Sequence, residues 1–413
     1  MQKRQAVSHN RTVFSLSLAI ASVMLGFGLF GPFLPIYAQL LGATLGLQVG
    51  FMTSAFMLSR AASSIPLGGL SDKLGRKKMI VIGLLTYGVA TFAYAIVTDW
   101  TQLVALRAVQ GISAGMLWPS ATALIADEVG PGSRGKALGT FNASATAGLL
   151  GGPALGGALQ LYSRSALSLS IVDSFRVPFY AGGLLGIISA ILAMKLVRER
   201  RTTADIKDSL ASTIAPVAQK FKGTFYSLLG VSFAHGFSLS FLGPIIVFYV
   251  QHQFNLSVDE TTSTMALAFF VSGLANSLSQ FFAGRVADKW HRKSLMLFGV
   301  IAAQIATIAM ALAQDVYAII VIMTVRSALF ASYAPALSSL QEDIIPRSAR
   351  GRLTGVMDAA SNTGSVLGPL VGFALYDYVG KNTPFFATAG IFIVAITLFQ
   401  LTGREPSVEE AEA

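Results

Sequence analysis

Long apolar segments, separated by short charged or Gly/Pro-containing breaks, run through almost the whole sequence. Each segment has roughly 20 to 25 residues, which is the length that a helix needs to cross a bilayer. Only 12% of the 413 residues are charged, whereas a soluble domain has about 25%. So few charges cannot cover a surface that faces water. We therefore predict an all-α membrane protein with about twelve transmembrane helices.

The predicted spans divide six and six around a hydrophilic stretch that is rich in Arg, Lys, Asp, Ser and Thr. We expect an N-terminal six-helix bundle at 1–197, a cytoplasmic linker at 198–223, and a C-terminal six-helix bundle with a short cytoplasmic tail at 224–413. The first span is too long for the apolar region of a signal peptide, so we expect it to be retained. The spans are 13–38, 46–69, 79–98, 101–126, 137–162, 176–197, 224–251, 261–284, 295–313, 316–341, 353–378 and 385–402.

The basic residues indicate how the chain is oriented in the membrane. With the amino terminus in the cytoplasm, 24 of the 30 Lys and Arg residues fall in cytoplasmic segments. This positive-inside bias predicts a multi-pass cell-membrane protein with both termini in the cytoplasm. The net charge of +10 is then a topology signal directed at anionic lipids, and it argues against nucleic-acid binding. The other six basic residues are Arg164, Arg176 and Lys381 in outer loops, and Arg60, Arg107 and Arg326 inside spans.

The sequence also disfavours several kinds of chemistry. There are no cysteines, so thiol catalysis, disulfides and zinc–thiolate sites are excluded. No Walker-type phosphate loop is present, which argues against direct ATP hydrolysis. The midspan residues His235 and Asp358 are not accompanied by a nucleophile or a metal-ligand cluster. We therefore expect no enzymatic activity, no cofactor and no metal.

The two halves of the sequence repeat each other. Thirteen identical Gly, Asp, Arg, Lys or Pro residues recur at an offset of 216, and the first and seventh spans match at an offset of 212. Duplicated halves are a plan of secondary transporters, in which one site faces alternate sides of the membrane as the halves rock. The pairs at the larger offset include Gly68 and Gly284, Asp72 and Asp288, Arg76 and Arg292, Asp127 and Asp343, Gly148 and Gly364, Gly152 and Gly368, Pro153 and Pro369, and Gly156 and Gly372.

Three segments carry a family resemblance. GGLSDKLGRKK at 68–78 resembles the loop signature of the major facilitator superfamily, and 103–115 resembles its fourth-helix motif. GLLGGPALGG at 148–157 resembles the fifth-helix motif of its antiporters. The second-half copies depart from these patterns, since His291 replaces the turn glycine and Phe373 stands where the first half has Gly157. The amino-terminal half is therefore expected to keep the stricter constraints.

The resemblance implies the major facilitator fold, with two pseudo-symmetric six-helix bundles that act by alternating access. Its twelve-span drug:proton antiporter branch implies proton-coupled efflux of small organic compounds, by a monomer. The first span lacks the membrane-embedded acid that members of this branch often carry, so proton coupling follows from the resemblance alone. A transporter of anionic or sugar-like solutes on the same fold is the alternative, supported by three intramembrane arginines against one acid.

The loop after the second span is a candidate gate. Asp72, at a helix end, is suited to bind a helix dipole or a nearby arginine, and Gly75 permits a tight reversal of the chain. The resemblance makes Asp127 the natural partner of Arg76, with Asp343 and Arg292 as the second-half equivalents. The gating set is Gly68, Asp72, Gly75, Arg76, Asp127, Asp288, Arg292 and Asp343.

The fifth span combines small residues with a proline. Gly148, Gly152 and Gly156 recur every four positions and form one narrow helix face suited to close packing. Pro153 frees a backbone carbonyl and bends a helix. With Gly157, these residues are predicted to form a hinge or a tight seal between the halves.

Charged residues inside spans are candidates for the substrate cavity or for coupling, because a charge in lipid costs about 2.5 to 3.5 kcal/mol on insertion scales. The candidates are Arg60, Arg107, His235, Arg326 and Asp358. Structural pairing between helices is the alternative for each, and a neutral hydrogen-bonded core residue is the alternative for His235. A set of aromatic residues is a candidate lining for an apolar pocket, with lipid-facing packing as the alternative for each member on the first and seventh spans. The set is Phe30, Phe33, Tyr37, Phe237, Phe241, Phe248, Trp118 and Tyr333.

Overall fold

The computed structural model describes residues 2–129, 133–197, 199, 222–287, 292–331, 333 and 350–402. Helices occupy nearly all of this part of the chain, and it contains no strand. The predicted all-α fold with twelve long helices is confirmed. They are α1 Gln2–Phe30, α2 Gly46–Leu74, α3 Arg76–Ala93, α4 Trp100–Glu128, α5 Arg134–Ser165, α6 Ile171–Leu196, α7 Lys222–Gln253, α8 Val258–Ala287, α9 Arg292–Ala311, α10 Val316–Phe330, α11 Arg350–Tyr378 and α12 Thr383–Thr402.

The first span is interrupted where its sequence contains Gly-Pro. A 3-10 turn, Gly31–Phe33, follows α1, and a short helix, Leu34–Leu40, continues the span. Pro32 has no backbone N–H and cannot continue the helical hydrogen-bond pattern. The equivalent Pro244 lies inside α7, which runs without interruption.

Aspartates cap two equivalent helices. Asp99 accepts from the backbone N–H of Thr101 at the start of α4, and Asp315 accepts from that of Ala318 at the start of α10. The hydroxyl and the backbone N–H of Thr101 stabilise the carboxylate and lower the pKa of Asp99. The two caps are 216 residues apart in the sequence, so the repeat extends to the signals that begin helices.

Contacts group the chain into two units. Unit 1 contains Met1–Asp205 and Leu256–Phe270, and unit 2 contains Ile206–Asn255 and Val271–Ala413. The beginning of α8 therefore groups with unit 1, although it follows the linker in the sequence. The predicted linker at 198–223 lies almost wholly outside the described residues, so its role stays a prediction.

Each unit has its own aromatic core. In unit 1, the ring of Phe179 packs 5.2 Å from Phe30 and 4.8 Å from Tyr37. In unit 2, Phe392 packs edge-on against both Phe330 and Tyr333.

Large apolar side chains also point outward from the helices, as Ile65 does with 85% of its surface exposed. An outward apolar surface of this kind matches hydrocarbon rather than water. Within the described residues, five stretches are long and apolar enough to cross a membrane on length and composition alone. They are Thr12–Leu40, Arg76–Ile96, Ile171–Leu196, Gly223–Gln253 and Thr383–Thr402.

Candidate functional site

Helix α5 packs directly against the backbone of α1. A Cβ atom added to Gly148 would overlap the carbonyl oxygen of Ala21, and one added to Gly156 would overlap that of Leu29. A Cβ on Gly152 would meet the backbone of Gly28. The predicted close packing is thus present, and at these three glycines the partner is α1 of the same unit. Helix α5 runs without interruption through Pro153.

The same contact recurs in unit 2 between α11 and α7. A Cβ on Gly364 would overlap the carbonyl oxygen of Phe233, and one on Gly372 would overlap the ring of Phe241. Ala21 and Phe233 are 212 residues apart, whereas Gly148 and Gly364 are 216 apart. Both offsets of the repeat therefore reappear as paired contacts.

The repeat breaks at the end of this contact. A Cβ on Gly157 would lie 2.8 Å from that of Ala266 in α8. The equivalent Phe373 is fully buried and packs edge-on against Phe248 at 5.4 Å. Only the first-half helix keeps a small residue here.

The C-terminal end of α5 and the N-terminal end of α8 are joined by polar contacts that the sequence reasoning missed. Buried Gln160 donates from Nε2 to Ser174 Oγ and to Asp259 Oδ1, each at 3.0 Å. Arg164 Nε lies 3.5 Å from Asp259 Oδ2. All of these residues belong to unit 1. Asp259 precedes the eighth span, and no sequence motif marks it.

The loop between α2 and α3 has the predicted arrangement. Gly75 adopts φ +105°, a conformation that favours glycine. Arg76 Nη2 lies 3.2 Å from Asp72 Oδ1, and Arg76 Nη1 contacts Asp127 Oδ2 in α4. The predicted pairing of Arg76 with Asp127 is present. One guanidinium thus joins the ends of three helices.

A third acid at this loop was not predicted. Both oxygens of Glu199, just after α6, accept from backbone N–H groups at the start of α3. Oε1 accepts from Arg76 at 2.6 Å and Oε2 from Lys77 at 3.2 Å. The composition of 198–223 suggested only a linker, and a carboxylate that bonds to backbone leaves no mark in the sequence.

The rest of the predicted gating set is described less fully. Asp288 and Asp343 lie outside the described residues. Arg292 begins α9, and its side chain is not among those described. A Cβ on Gly68 would lie 3.8 Å from Pro119 Cβ, an ordinary contact.

Arg107 is enclosed within unit 1. Only 6% of its surface is exposed, and its guanidinium lies 5.6 Å from the ring centre of Phe27 and 5.3 Å from that of Phe56. Nη1 donates to Gln110 Oε1 at 3.3 Å, and Nε has no hydrogen-bond partner among the described residues. The aromatic faces attract this cation.

Arg326 occupies in unit 2 the place that Gln110 occupies in unit 1. Gln110 Nε2 donates to Thr91 Oγ1 at 2.7 Å, and Arg326 Nε donates to Thr307 Oγ1 at 2.8 Å. Both pairs are related by 216 residues. The Arg326 guanidinium lies 5.8 Å from the ring centre of Phe330. When the two halves are aligned at the offset of 216, Arg326 corresponds to position 110 and Arg107 lies three positions earlier. The buried cations of the two halves therefore occupy different positions of the repeat.

His235 belongs to an aromatic stack in unit 2. Its ring lies 4.8 Å from that of Tyr333 and 5.7 Å from that of Phe330, nearly parallel to both. Its Nδ1 and the Tyr333 hydroxyl are buried without a hydrogen-bond partner among the described residues. At Nδ1, the described contacts therefore do not support the alternative of a hydrogen-bonded core histidine.

The other two intramembrane candidates differ in exposure. Arg60 is partly exposed in α2, where a Cβ on Gly111 of α4 would lie 3.0 Å from the Arg60 backbone nitrogen. Asp358 is exposed on α11, so the described protein atoms do not enclose its side chain. Among the described residues, no group of three or more His, Cys, Asp or Glu is placed to hold a metal.

Most of the predicted pocket aromatics are enclosed. Phe30, Phe33 and Tyr37 are buried in unit 1, and Tyr333 and the three phenylalanines of α7 are buried in unit 2. Trp118 packs edge-on against Phe141 at 5.6 Å. The rings of the buried members fill space between packed helices, and their role in an apolar pocket stays a prediction.

The sequence is similar to a family of transporters and to two efflux proteins. The family model of the Major Facilitator Superfamily matches residues 16–229 and 228–413. The quinolone resistance protein NorA of Staphylococcus aureus (strain COL) is 27% identical over 393 residues, which cover 94% of this chain and 96% of NorA. A multi-drug resistance efflux pump PmrA homolog of Lactococcus lactis subsp. lactis (strain IL1403) is 28% identical over 405 residues, 96% of both chains.

Solved structures of transporters have the same fold. A bacterial homolog of the human lysosomal transporter Spinster, in an inward-facing and unoccupied conformation, matches with a TM-score of 0.75 at 18% identity, over 96% of this chain and 97% of that one. The nucleoside transporter NupG matches with a TM-score of 0.75 at 16% identity, over 94% of this chain and 100% of that one. With the family model matching both halves, this chain belongs to the Major Facilitator Superfamily.

Proposed function

We propose that this protein is a secondary active exporter of small organic, drug-like compounds and that protons drive it. The observation that carries the proposal is the similarity to NorA and to the PmrA homolog, which extends over nearly the whole of all three chains. Those proteins are described by quinolone resistance and by multi-drug efflux. The antiporter-type motif on α5, with its backbone contact to α1, supports the same assignment.

In alternating access, we expect some contacts of unit 1 to stay fixed and others to break and re-form. Because α1 and α5 touch through backbone atoms, sliding one past the other would force atoms to overlap, so we expect this pair to move as one rigid body. The charged cluster of Asp72, Arg76 and Asp127 offers contacts that break and re-form at little cost, since exposed ion pairs contribute only about 0 to 1 kcal/mol. We assign the switching to this cluster.

Proton coupling requires a group that gains and loses a proton during each cycle. Asp358 is a carboxylate inside a predicted span, and intramembrane acids usually face the interior of the helix bundle or a water-filled cavity and mark proton relays. His235 is the other candidate, but its ring is enclosed by Phe330 and Tyr333. We therefore assign the proton to Asp358 first.

A second candidate function has its own observation. Among the described residues, no carboxylate lies within 4.0 Å of Arg107 or of Arg326. Two such cations beside aromatic rings suit a substrate that carries a negative charge. Transport of organic anions on the same fold is therefore the alternative to export of neutral or cationic drugs.

The test uses purified protein in liposomes that contain a pH-sensitive dye. A pH gradient is imposed, and ethidium, an aromatic carboxylate such as a fluoroquinolone, and a sugar are added in separate experiments. Proton flux that accompanies ethidium, with or without flux that accompanies the fluoroquinolone, supports proton-driven drug export. Flux with the sugar alone, or substrate movement that ignores the pH gradient, contradicts it. Movement of the carboxylate but not of ethidium favours the anion alternative.

A further inference from the structure

Glu199 closes the start of α3 from another part of the chain. The first N–H groups of a helix have no partner within the helix. At α3 the residue before the helix is Gly75, which has no side chain to cap it and makes no side-chain hydrogen bond. The Glu199 carboxylate fills this role, with one oxygen on Arg76 N–H and the other on Lys77 N–H.

The arrangement suits a carboxylate specifically. Its negative charge lies at the positive end of the α3 dipole, and its two oxygens satisfy two successive donors. The space is also limited, because a Cβ on Gly75 would lie 3.1 Å from Glu199 Oε2. The glycine that permits the turn therefore also leaves room for the acid.

Arg76 connects the helix cap to the ionic cluster. Its backbone N–H donates to Glu199, and its guanidinium contacts Asp72 and Asp127. When the first turn of α3 is held in place, the Arg76 backbone is held in place with it. Without the cap, the end of the helix is free to fray, and the Arg76 guanidinium is no longer held between the two aspartates.

We propose that Glu199 is a positioning residue of the transport cycle, which anchors the first turn of α3 and so holds Arg76 between Asp72 and Asp127. This role goes beyond the proposed function, because it applies to any substrate and any coupling ion. It also attaches Glu199, which lies near the start of the predicted linker, to the loop between α2 and α3.

Hydrogen–deuterium exchange tests the anchoring without reference to transport. In Glu199→Ala, exchange in a peptide that contains the Arg76 and Lys77 amides should rise about fivefold or more, the factor that corresponds to one lost cap. Glu199→Asp keeps the charge but is one methylene shorter, so it should fail to reach both amides and also raise exchange. Asp173→Asn is the matched control, because Asp173 pairs with Arg176 in its own helix. Unchanged exchange in Glu199→Ala would overturn the proposal.

Transport then separates positioning from general stability. Glu199→Gln keeps the shape and one acceptor oxygen, so the protein should fold, and its initial transport rate should fall by about fivefold. The double variant Glu199→Ala with Asp72→Asn should transport no worse than Asp72→Asn alone, because both act through Arg76. Additive losses, or a lowered melting temperature with a normal rate, would refute the positioning role. If no variant or wild-type protein moves any drug, only the proposed substrate class fails, since the exchange result stands by itself.

Discussion

Arg164 of α5 and Asp259 of α8 form an ion pair between residues that are far apart in the sequence, with Nε 3.5 Å from Oδ2. Gln160, one turn before Arg164, donates to the other oxygen of the same carboxylate. In the predicted topology Arg164 faces the outside. We expect this contact to open and close during transport.

Cross-linking tests that expectation, and the absence of cysteine removes any background. With Arg164→Cys and Asp259→Cys in one chain, a short thiol cross-linker should stop transport, and its reductive cleavage should restore the rate. Cysteines at Asp173 and Arg176 provide the control, because that ion pair lies within a single helix. A fully cross-linked Arg164–Asp259 variant that transports at the normal rate would show that this contact does not open.

Asp72→Asn should impair transport much more than folding. The carboxylate is half exposed, at 50%, so its ion pair contributes about 0 to 1 kcal/mol to stability. The melting temperature and the amount of protein in the membrane should change little, whereas the initial rate should fall about tenfold. Normal transport, or loss of the protein from the membrane, would remove Asp72 from the gating set.

The stability of the close contact between α1 and α5 should be sensitive to a single added methyl group. Gly156→Ala would place Cβ on the Leu29 carbonyl, and such overpacking costs about 1 to 3 kcal/mol. Gly139→Ala in the same helix is the control, since nothing lies within 4 Å of its added Cβ. Thermal unfolding in detergent should show a lower melting temperature for Gly156→Ala and an equal or higher one for Gly139→Ala. Equal melting temperatures would contradict the tight packing of α5 against α1.

Asp358→Asn should uncouple transport from protons, because an amide does not bind and release a proton in this pH range. Proton-driven export should be abolished, while substrate binding and downhill exchange should persist. The competing idea is that Asp358 stays ionised as the counter-charge of an arginine, and its neutralisation would then destabilise the protein. Melting temperature separates the two. Retained proton-driven transport would exclude Asp358 as the carrier.

The orientation predicted from the basic residues is tested by single cysteines. A membrane-impermeant thiol reagent applied to intact cells should label cysteine at exposed Ser168 or at Asn382, and should miss cysteine at Ser133. Ser209, a further inner position, lies outside the described residues. Labelling at Ser133 but not at Ser168 would reverse the topology.

Features repeated in the sequence were predictable. The glycines of α5 and the turn at Gly75 follow from residue type and spacing, and the pairing of Arg76 with Asp127 follows from the family resemblance. Each depends on a local property, such as the lack of a Cβ or a charge at a helix end, and appears in both halves or in a motif.

Features that depend on tertiary contact were not predictable. Glu199 and Asp259 carry no motif, because each binds partners brought to it by the fold. The direction of a side chain from its helix was equally hidden. Tyr37 is packed in the core and Asp358 is exposed, and neither direction follows from the spacing of the residues.

The paired bonds of Gln110 to Thr91 and of Arg326 to Thr307 record how a duplicated gene diverged. A neutral amide and a permanent cation occupy equivalent places, and the threonine beneath them is the same in both copies. The two halves therefore keep the hydrogen bond to threonine and differ in the charge that makes it. One substitution at this position changes the charge inside one half while its threonine partner stays in place.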